Sequence, residues 1–419
     1  MQSIHRKRDI SDMIDFQQYT FPSGLRLVHV SDKSMVAHFG VVFGTGSRDE
    51  LPKEHGIAHF IEHMLFKGTT NRKPYHILSR MEDVGGEIDA YTTKEMIVIA
   101  SSFPKQYFSR AVELVSDITF NSTFPAKEIQ KEKEVVFEEI NMYKDSPSEF
   151  IYDVFDSLLY GDHPMGKNIL GTPESISKFD ETSLKNFWAR QVIPLNTIVC
   201  SAGDIPFKKV VALVEKSFCD FKNISSPVKR EKPETAPIFA KSVKKNTHQA
   251  HCIMGTSAFD VKSKYRVPLK ILTNLLGGPG MNSRLNLSLR EKYGLVYQVD
   301  AYYYPFSDSG NFGVYFGTDS NSVDRCKELV YKEISKLADC KLGTMQLHNA
   351  KRQVKGQIIL GSENHSSLML STAKSVLMFD KIWTIEEILS DVDSVTDSLL
   401  LETANRLFEN RQLSTLLFY

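Results

Sequence analysis

Residues 223–239, NISSPVKREKPETAPIF, divide this chain in two. Three prolines (Pro227, Pro233, Pro237), a cluster of charges and no apolar periodicity mark a linker. On its N-terminal side, residues 24–32 (GLRLVHVSD) and 35–50 (MVAHFGVVFGTGSRDE) read as strands, and 55–66 (HGIAHFIEHMLF) as an apolar helix. A helix around 75–84, a turn-led strand pair in 85–103 and a helix around 108–120 follow. On the C-terminal side, 248–259 (HQAHCIMGTSAF) is a strand and 267–276 an apolar helix. Next come 275–294 (LLGGPGMNSRLNLSLREKYG), a strand pair at 296–304 and 310–318, and a helix over 323–337. Both halves therefore read strand, helix, helix, strand, strand, helix. The expectation is an α+β protein of two homologous domains, 1–222 and 240–419, each an antiparallel-rich mixed sheet covered by helices.

Composition bounds what such domains do. The 419 residues carry 51 Lys+Arg against 51 Asp+Glu, so no global field draws the chain to nucleic acid or anionic membrane. A hydrophobic share of 42% with 11% aromatics excludes a disordered chain, and no apolar run approaches the length of a membrane span. Five widely spaced cysteines (Cys200, Cys219, Cys252, Cys326, Cys340) make neither a disulfide framework nor a zinc ribbon. The first residues, MQSIHRKRDISDMIDFQQ, have no apolar segment behind their basic ones, and Asp9, Asp12 and Asp15 argue against a transit peptide. A cytoplasmic location is expected.

The chemistry concentrates at His59-Phe60-Ile61-Glu62-His63. His59 and His63 stand one helical turn apart on one face with Glu62 beside them, and two imidazoles so placed can bind one metal ion from a rigid helix. The rest of the helix is apolar nearly all round, so it is buried and its ionisable groups need partners. A second helix, 128–144 (EIQKEKEVVFEEINMYK), carries Ile129, Val136, Ile140 and Tyr143 along one stripe and Lys131, Glu134 and Glu138 opposite. Glu132 and Glu139, seven residues apart, project within the apolar half, between Val135 and Val136. One of them can be a third metal ligand and the other can orient a ligand histidine through its free ring nitrogen.

HFIEH followed by a distant E-x6-E is the inverted zinc-peptidase motif. The sequence resembles the pitrilysin/insulysin family, most closely its short-chain branch of mitochondrial processing peptidase-like enzymes. GIAHFIEHMLFKGT (56–69) and EKEVVFEEINMYKDSP (132–147) carry that likeness. In the second half SLREKYGLVYQV (288–299) holds Arg290 and Tyr297, similar to the family's R-x6-Y pair that contacts substrate, just after a matching Gly-rich segment. GGEIDAYTTKE (85–95) is similar to the strand that pairs with substrate backbone, with Asp89 where many members have Asn.

The resemblance implies a zinc metalloendopeptidase acting on unfolded or short peptides. His59, His63 and Glu139 would bind one Zn2+ per chain, Glu62 would be the catalytic base, and Glu132 would orient a ligand histidine. Arg290, Tyr297, Ala90, Tyr91 and Thr92 would contact substrate. Long members of the family carry four such domains, and this chain has two with both site halves intact. A clamshell homodimer follows, each chain offering Arg290 and Tyr297 to the other's zinc. The rival expectation is a non-catalytic scaffold or partner subunit of the same fold, whose zinc motif is typically broken.

Overall fold

A computed structural model of the chain describes residues 4–8, 14–218, 221, 229–234, 236–245, 247–409 and 411–419. Residues 223–228 and 235 of the expected linker, with Cys219, Asp9 and Asp12, lie outside the described residues. Seven strands make a first sheet: Ile4–Arg8 (β1), Asp15–Thr20 (β2), Arg26–Ser31 (β3), Val36–Phe43 (β4), Glu87–Thr92 (β5), Ile97–Pro104 (β6) and Thr197–Ala202 (β7). Five make a second: Ala240–Val243 (β8), Ala250–Ser257 (β9), Val296–Pro305 (β10), Gly310–Thr318 (β11) and Ser414–Phe418 (β12). The first runs β1-β2-β3-β7-β4-β6-β5 and the second β10-β11-β9-β12-β8. Without β1 and β2 the first sheet repeats the second strand for strand, β5 standing where β10 stands. The one parallel pair recurs too, β3 with β7 and β8 with β12. The fold is α+β with mixed sheets, and the duplication is one of topology.

The chain forms two compact units: Met1–Ile140, Lys167–Arg230 and Ile359–Glu387 make the first, and Asn141–Gly166, Glu231–Ile358 and Ile388–Tyr419 the second. The expected domains, 1–222 and 240–419, differ from these units in which helices they hold. The helix Pro147–Tyr160 belongs to the second unit, where Ile151, Phe155 and Leu159 pack on Ile253, Tyr315, Leu416 and Phe418. The helix His365–Phe379 belongs to the first, its Leu368, Met369, Ala373 and Val376 against Val28, Val30, Val42 and Ile198. Each sheet thus buries both faces, one under helices of its own half and one under a helix from the other. Helical periodicity tells which side of a helix is apolar but not which sheet that side meets, so the exchange could not be read from the pattern.

His29 on β3 shows what two-sided burial does to a titratable group. It is almost fully buried, bonds through Nδ1 to Ser201 Oγ at 2.8 Å and stacks on Phe207. Burial pushes its pKa down to about 4, against smaller contributions from backbone bonds and Asp15 that raise it. The unfolded chain takes up this proton near pH 6.5 and the folded one only near 4, so stability is full above 6.5 and falls as pH drops through that window. Between pH 7 and 4.5 the His29 contribution to the loss is about 2 kcal/mol. Urea unfolding of wild type and His29→Gln at both pH values measures it: the pH-dependent loss shrinks by that amount in the variant.

Candidate metal centre

The helix Ile57–Met64 buries Ile57, Ala58, Phe60, Ile61 and Met64, which fixes the opposite side of a short helix toward β5. Its start is built with care. Gly56 has φ +90°, and a Cβ there would stand 2.6 Å from Gly171 Cα, so only glycine fits. The Glu50 carboxylate accepts the N–H groups of Gly56 at 2.9 Å and Ala58 at 3.0 Å, covering donors that a helix start leaves unpaired. The two histidines are therefore carried on a helix whose depth and entry are both fixed.

His59 Nε2 and His63 Nε2 lie 3.3 Å apart. Glu139, from the helix Ala126–Lys144, places Oε1 3.6 Å from His59 Nε2 and Oε2 3.4 Å from His63 Nε2. For a tetrahedral zinc with bonds of about 2.0–2.1 Å, neighbouring ligand atoms are roughly 3.3–3.4 Å apart. The two nitrogens and the two oxygens of the one carboxylate sit at close to that spacing. Glu139 Oε2 is shielded from solvent, and the 3.4 Å approach of His63 Nε2 falls outside good hydrogen-bond geometry. Two imidazoles and a carboxylate are also zinc's usual donors, so the residues present fit the ion.

Around the triangle each group is held. His63 Nδ1 meets Glu132 Oε1 at 2.8 Å, which turns Nε2 toward the triangle, and Glu132 Oε2 meets Lys67 Nζ at 2.7 Å. Burial works against ionising Glu132, but His63 and Lys67 hold its pKa below the usual carboxylate range. Glu139 is also held low, chiefly by its bond with His63. Glu62 goes the other way: burial raises its pKa to about 6, opposed by a hydrogen bond that Thr92 Oγ1 donates to Oε2 at 2.6 Å. Ligand atoms of His59, Glu62 and His63 lie within 4.8 Å of one another, so Glu62 borders the same space. One of its oxygens is engaged by Thr92, whereas Glu139 touches both histidines. Both carboxylates therefore border the space between the histidines, Glu139 against the two Nε2 atoms and Glu62 with one oxygen held by Thr92.

The other expected residues are distributed differently. Ala90 and Thr92 of β5 face the helix that carries the histidines, but Tyr91 alternates to the opposite face, where Lys374 lies 5.4 Å from its ring centre. Thr92, expected at the substrate, has its hydroxyl committed to Glu62. Val135, expected beside Glu132 and Glu139 in the buried half, is 50% exposed. Arg290 and Tyr297 belong to the second unit; the guanidinium lies 5.8 Å from the ring centre and Tyr297 is 83% exposed. Lys67 was not singled out by its sequence; it lies four residues past His63, just beyond the end of the helix, and reaches Glu132 of the neighbouring helix. Among the described residues no helix is long and apolar enough to cross a membrane.

Residues 178–354 match the family described as Peptidase M16 inactive domain, and residues 26–173 match Insulinase (Peptidase family M16). A Bacillus subtilis protein named an uncharacterized zinc protease is 33% identical over 395 residues, 94% of this chain and 95% of that one. A Streptomyces coelicolor protein of the same description is 31% identical over 90% of this chain and 84% of its own. Among solved structures, a peptidase M16 inactive domain from Pseudomonas fluorescens superposes with a TM-score of 0.90 at 18% identity, covering 96% of this chain and 97% of that chain. A protease from Helicobacter pylori superposes with a TM-score of 0.89 at 25% identity, covering 97% and 99%. With its fold, both of its domains and its full-length relatives in agreement, the chain belongs to the insulinase family of peptidases, family M16.

Proposed function

We propose that the chain is a zinc-dependent endopeptidase in which His59, His63 and Glu139 hold one zinc and Glu62 is the general base. The observation that carries this reading is the triangle of two Nε2 atoms and one carboxylate at 3.3–3.6 Å with Glu62 at its side. Zinc held there supplies Lewis acidity to a peptide carbonyl and to an attacking water. Glu62 takes the water's proton and returns one to the departing amine, and its raised pKa suits a group that must do both near neutrality. Thr92 fixes one Glu62 oxygen and leaves the other for that proton.

Substrate is positioned by main chain. β5 is the outer strand of its sheet, so an extended peptide can add to it at Ala90–Thr92 through backbone hydrogen bonds that read side chains weakly. Unfolded or short peptides present such a backbone and folded proteins do not. Arg290 and Tyr297 contact the peptide from the second domain, and in our reading those of one chain complete the site of its copy in a homodimer. Free, buried Cys200, Cys252 and Cys326 suit a reducing compartment such as the cytoplasm.

Zinc content and hydrolysis of an unstructured fluorogenic peptide test the reading together. One zinc per chain, with activity lost to a chelator and restored by zinc, is the expected result. A freshly purified chain that takes up no zinc and cleaves nothing is the scaffold instead. The support around His63 gives a graded prediction: Glu132→Gln weakens zinc binding by about 10- to 100-fold, because the ring loses its orienting partner. Lys67→Met weakens it less, and Lys67→Arg restores most of the loss. Competition with a zinc-chelating dye reads all three.

A further inference from the structure

The duplicated topology places a second cleft, of about 440 Å3, where the first domain has its metal centre. The helix Arg266–Gly277 follows β9 as Ile57–Met64 follows β4. It offers Lys270, Thr273 and Asn274 to the cleft at the same i, i+3, i+4 spacing as His59, Glu62 and His63. The helix Thr344–Ser362 has 19 residues, like Ala126–Lys144, and the fourteenth residue is Gln357 in one and Glu139 in the other. Gln357 also lines the cleft, and the far wall comes from Ala301–Tyr304 on β10, the outer strand that corresponds to β5. Zinc has no ligand set here, because ammonium, hydroxyl and amides stand at the positions of His59, Glu62, His63 and Glu139.

What replaced the metal ligands is a set rich in donors. Among the described residues no carboxylate lines the cleft. Lys270 is an exposed side chain lining this open cleft and has no acceptor among the described residues; the protein around its ammonium, with Arg266 nearby, lowers its pKa. Asn274 Nδ2 is shielded from solvent and has no hydrogen-bond partner. The shielded, unsatisfied amide donor is costly unless an acceptor occupies the site, and with a solvent-open ammonium lining the same cleft a carboxylate can accept from both. Ala301, Tyr303, Val354 and Ile358 add apolar surface next to those donors.

We propose that this cleft binds a peptide's C-terminal carboxylate, with the last, apolar side chain against Val354 and Ile358. The second domain then holds peptide ends by the charge-inverted counterpart of the metal centre. The choice of a peptide as ligand rests on the peptidase reading; the donor-rich cleft does not.

The test uses the full chain carrying Glu62→Gln, with zinc chelated, so that no cleavage or metal coordination contributes. Anisotropy is followed with a labelled hexapeptide ending in leucine, as the free acid and as the C-terminal amide. The free acid is expected to bind at least ten-fold more tightly. Lys270→Gln should erase that difference, and Asn274→Leu, which keeps the charge, should reduce it. Equal affinity for acid and amide, discrimination that survives Lys270→Gln, or no binding of either peptide each overturns the proposal. Failure of the peptidase reading would show elsewhere, as absent zinc and absent hydrolysis in the wild-type chain, so the two outcomes are separable.

Discussion

A chain carrying Glu62→Gln is expected to keep its zinc and lose peptide hydrolysis by about 100- to 10,000-fold. The amide can still accept the Thr92 hydroxyl bond, so the helix and its packing are undisturbed. It cannot accept the water's proton. With His59, His63 and Glu139 as the proposed ligands, zinc content should stay at the wild-type value. This separates Glu62 from Glu139, the other carboxylate within reach of the histidines. Glu139→Gln is expected to lower zinc occupancy and activity together, since an amide oxygen is a much weaker ligand than a carboxylate. Metal analysis beside initial rates reads both variants. If Glu62→Gln loses zinc in parallel with activity, Glu62 is a ligand and the assignment of roles is reversed; if it stays fully active, the base is elsewhere.

The parts of this centre differ in how far sequence could reveal them, for physical reasons. His59, Glu62 and His63 were legible because one helix fixes their mutual geometry, and spacing along a helix is spacing in space. Glu132 and Glu139 were legible as a pair, since a carboxylate in an apolar stripe needs a partner. Which of them touched the histidines was not, because that depends on how two helices approach. Glu139 reaches both Nε2 atoms and Glu132 only the Nδ1 of His63. Lys67 escaped notice for a related reason: a lysine next to a helix end reads as solvated until the facing carboxylate is known. Thr92 was noticed for its strand but not for its bond, which depends on β5 lying against the histidine helix. The strand order was hidden in the same way. β7 and β12, the late strands that enter the interior of their sheets, carry short continuous apolar runs (Ile198–Cys200 and Leu416–Phe418), which name no neighbour.

The second large effect concerns whether one chain is enough. Chains carrying Glu62→Ala and Arg290→Ala should each be nearly inactive alone, the first for want of a base and the second for want of a substrate contact. If each site takes its base from one chain and Arg290 from its copy, a mixed dimer has one intact site and one doubly defective one. After random exchange of equal amounts half of the dimers are mixed, so activity should return to about one quarter of the wild-type level. A site completed within a single chain gives no recovery, because every site then carries one of the two defects. Subunit exchange is verified with two affinity tags, and analytical ultracentrifugation fixes the oligomeric state. The quarter-level plateau is the discriminating number, because contamination by wild-type protein has no reason to track the mixing ratio. Varying that ratio should trace a parabola with its maximum at equal parts. That shape follows from pairing alone, and a monomeric enzyme cannot produce it.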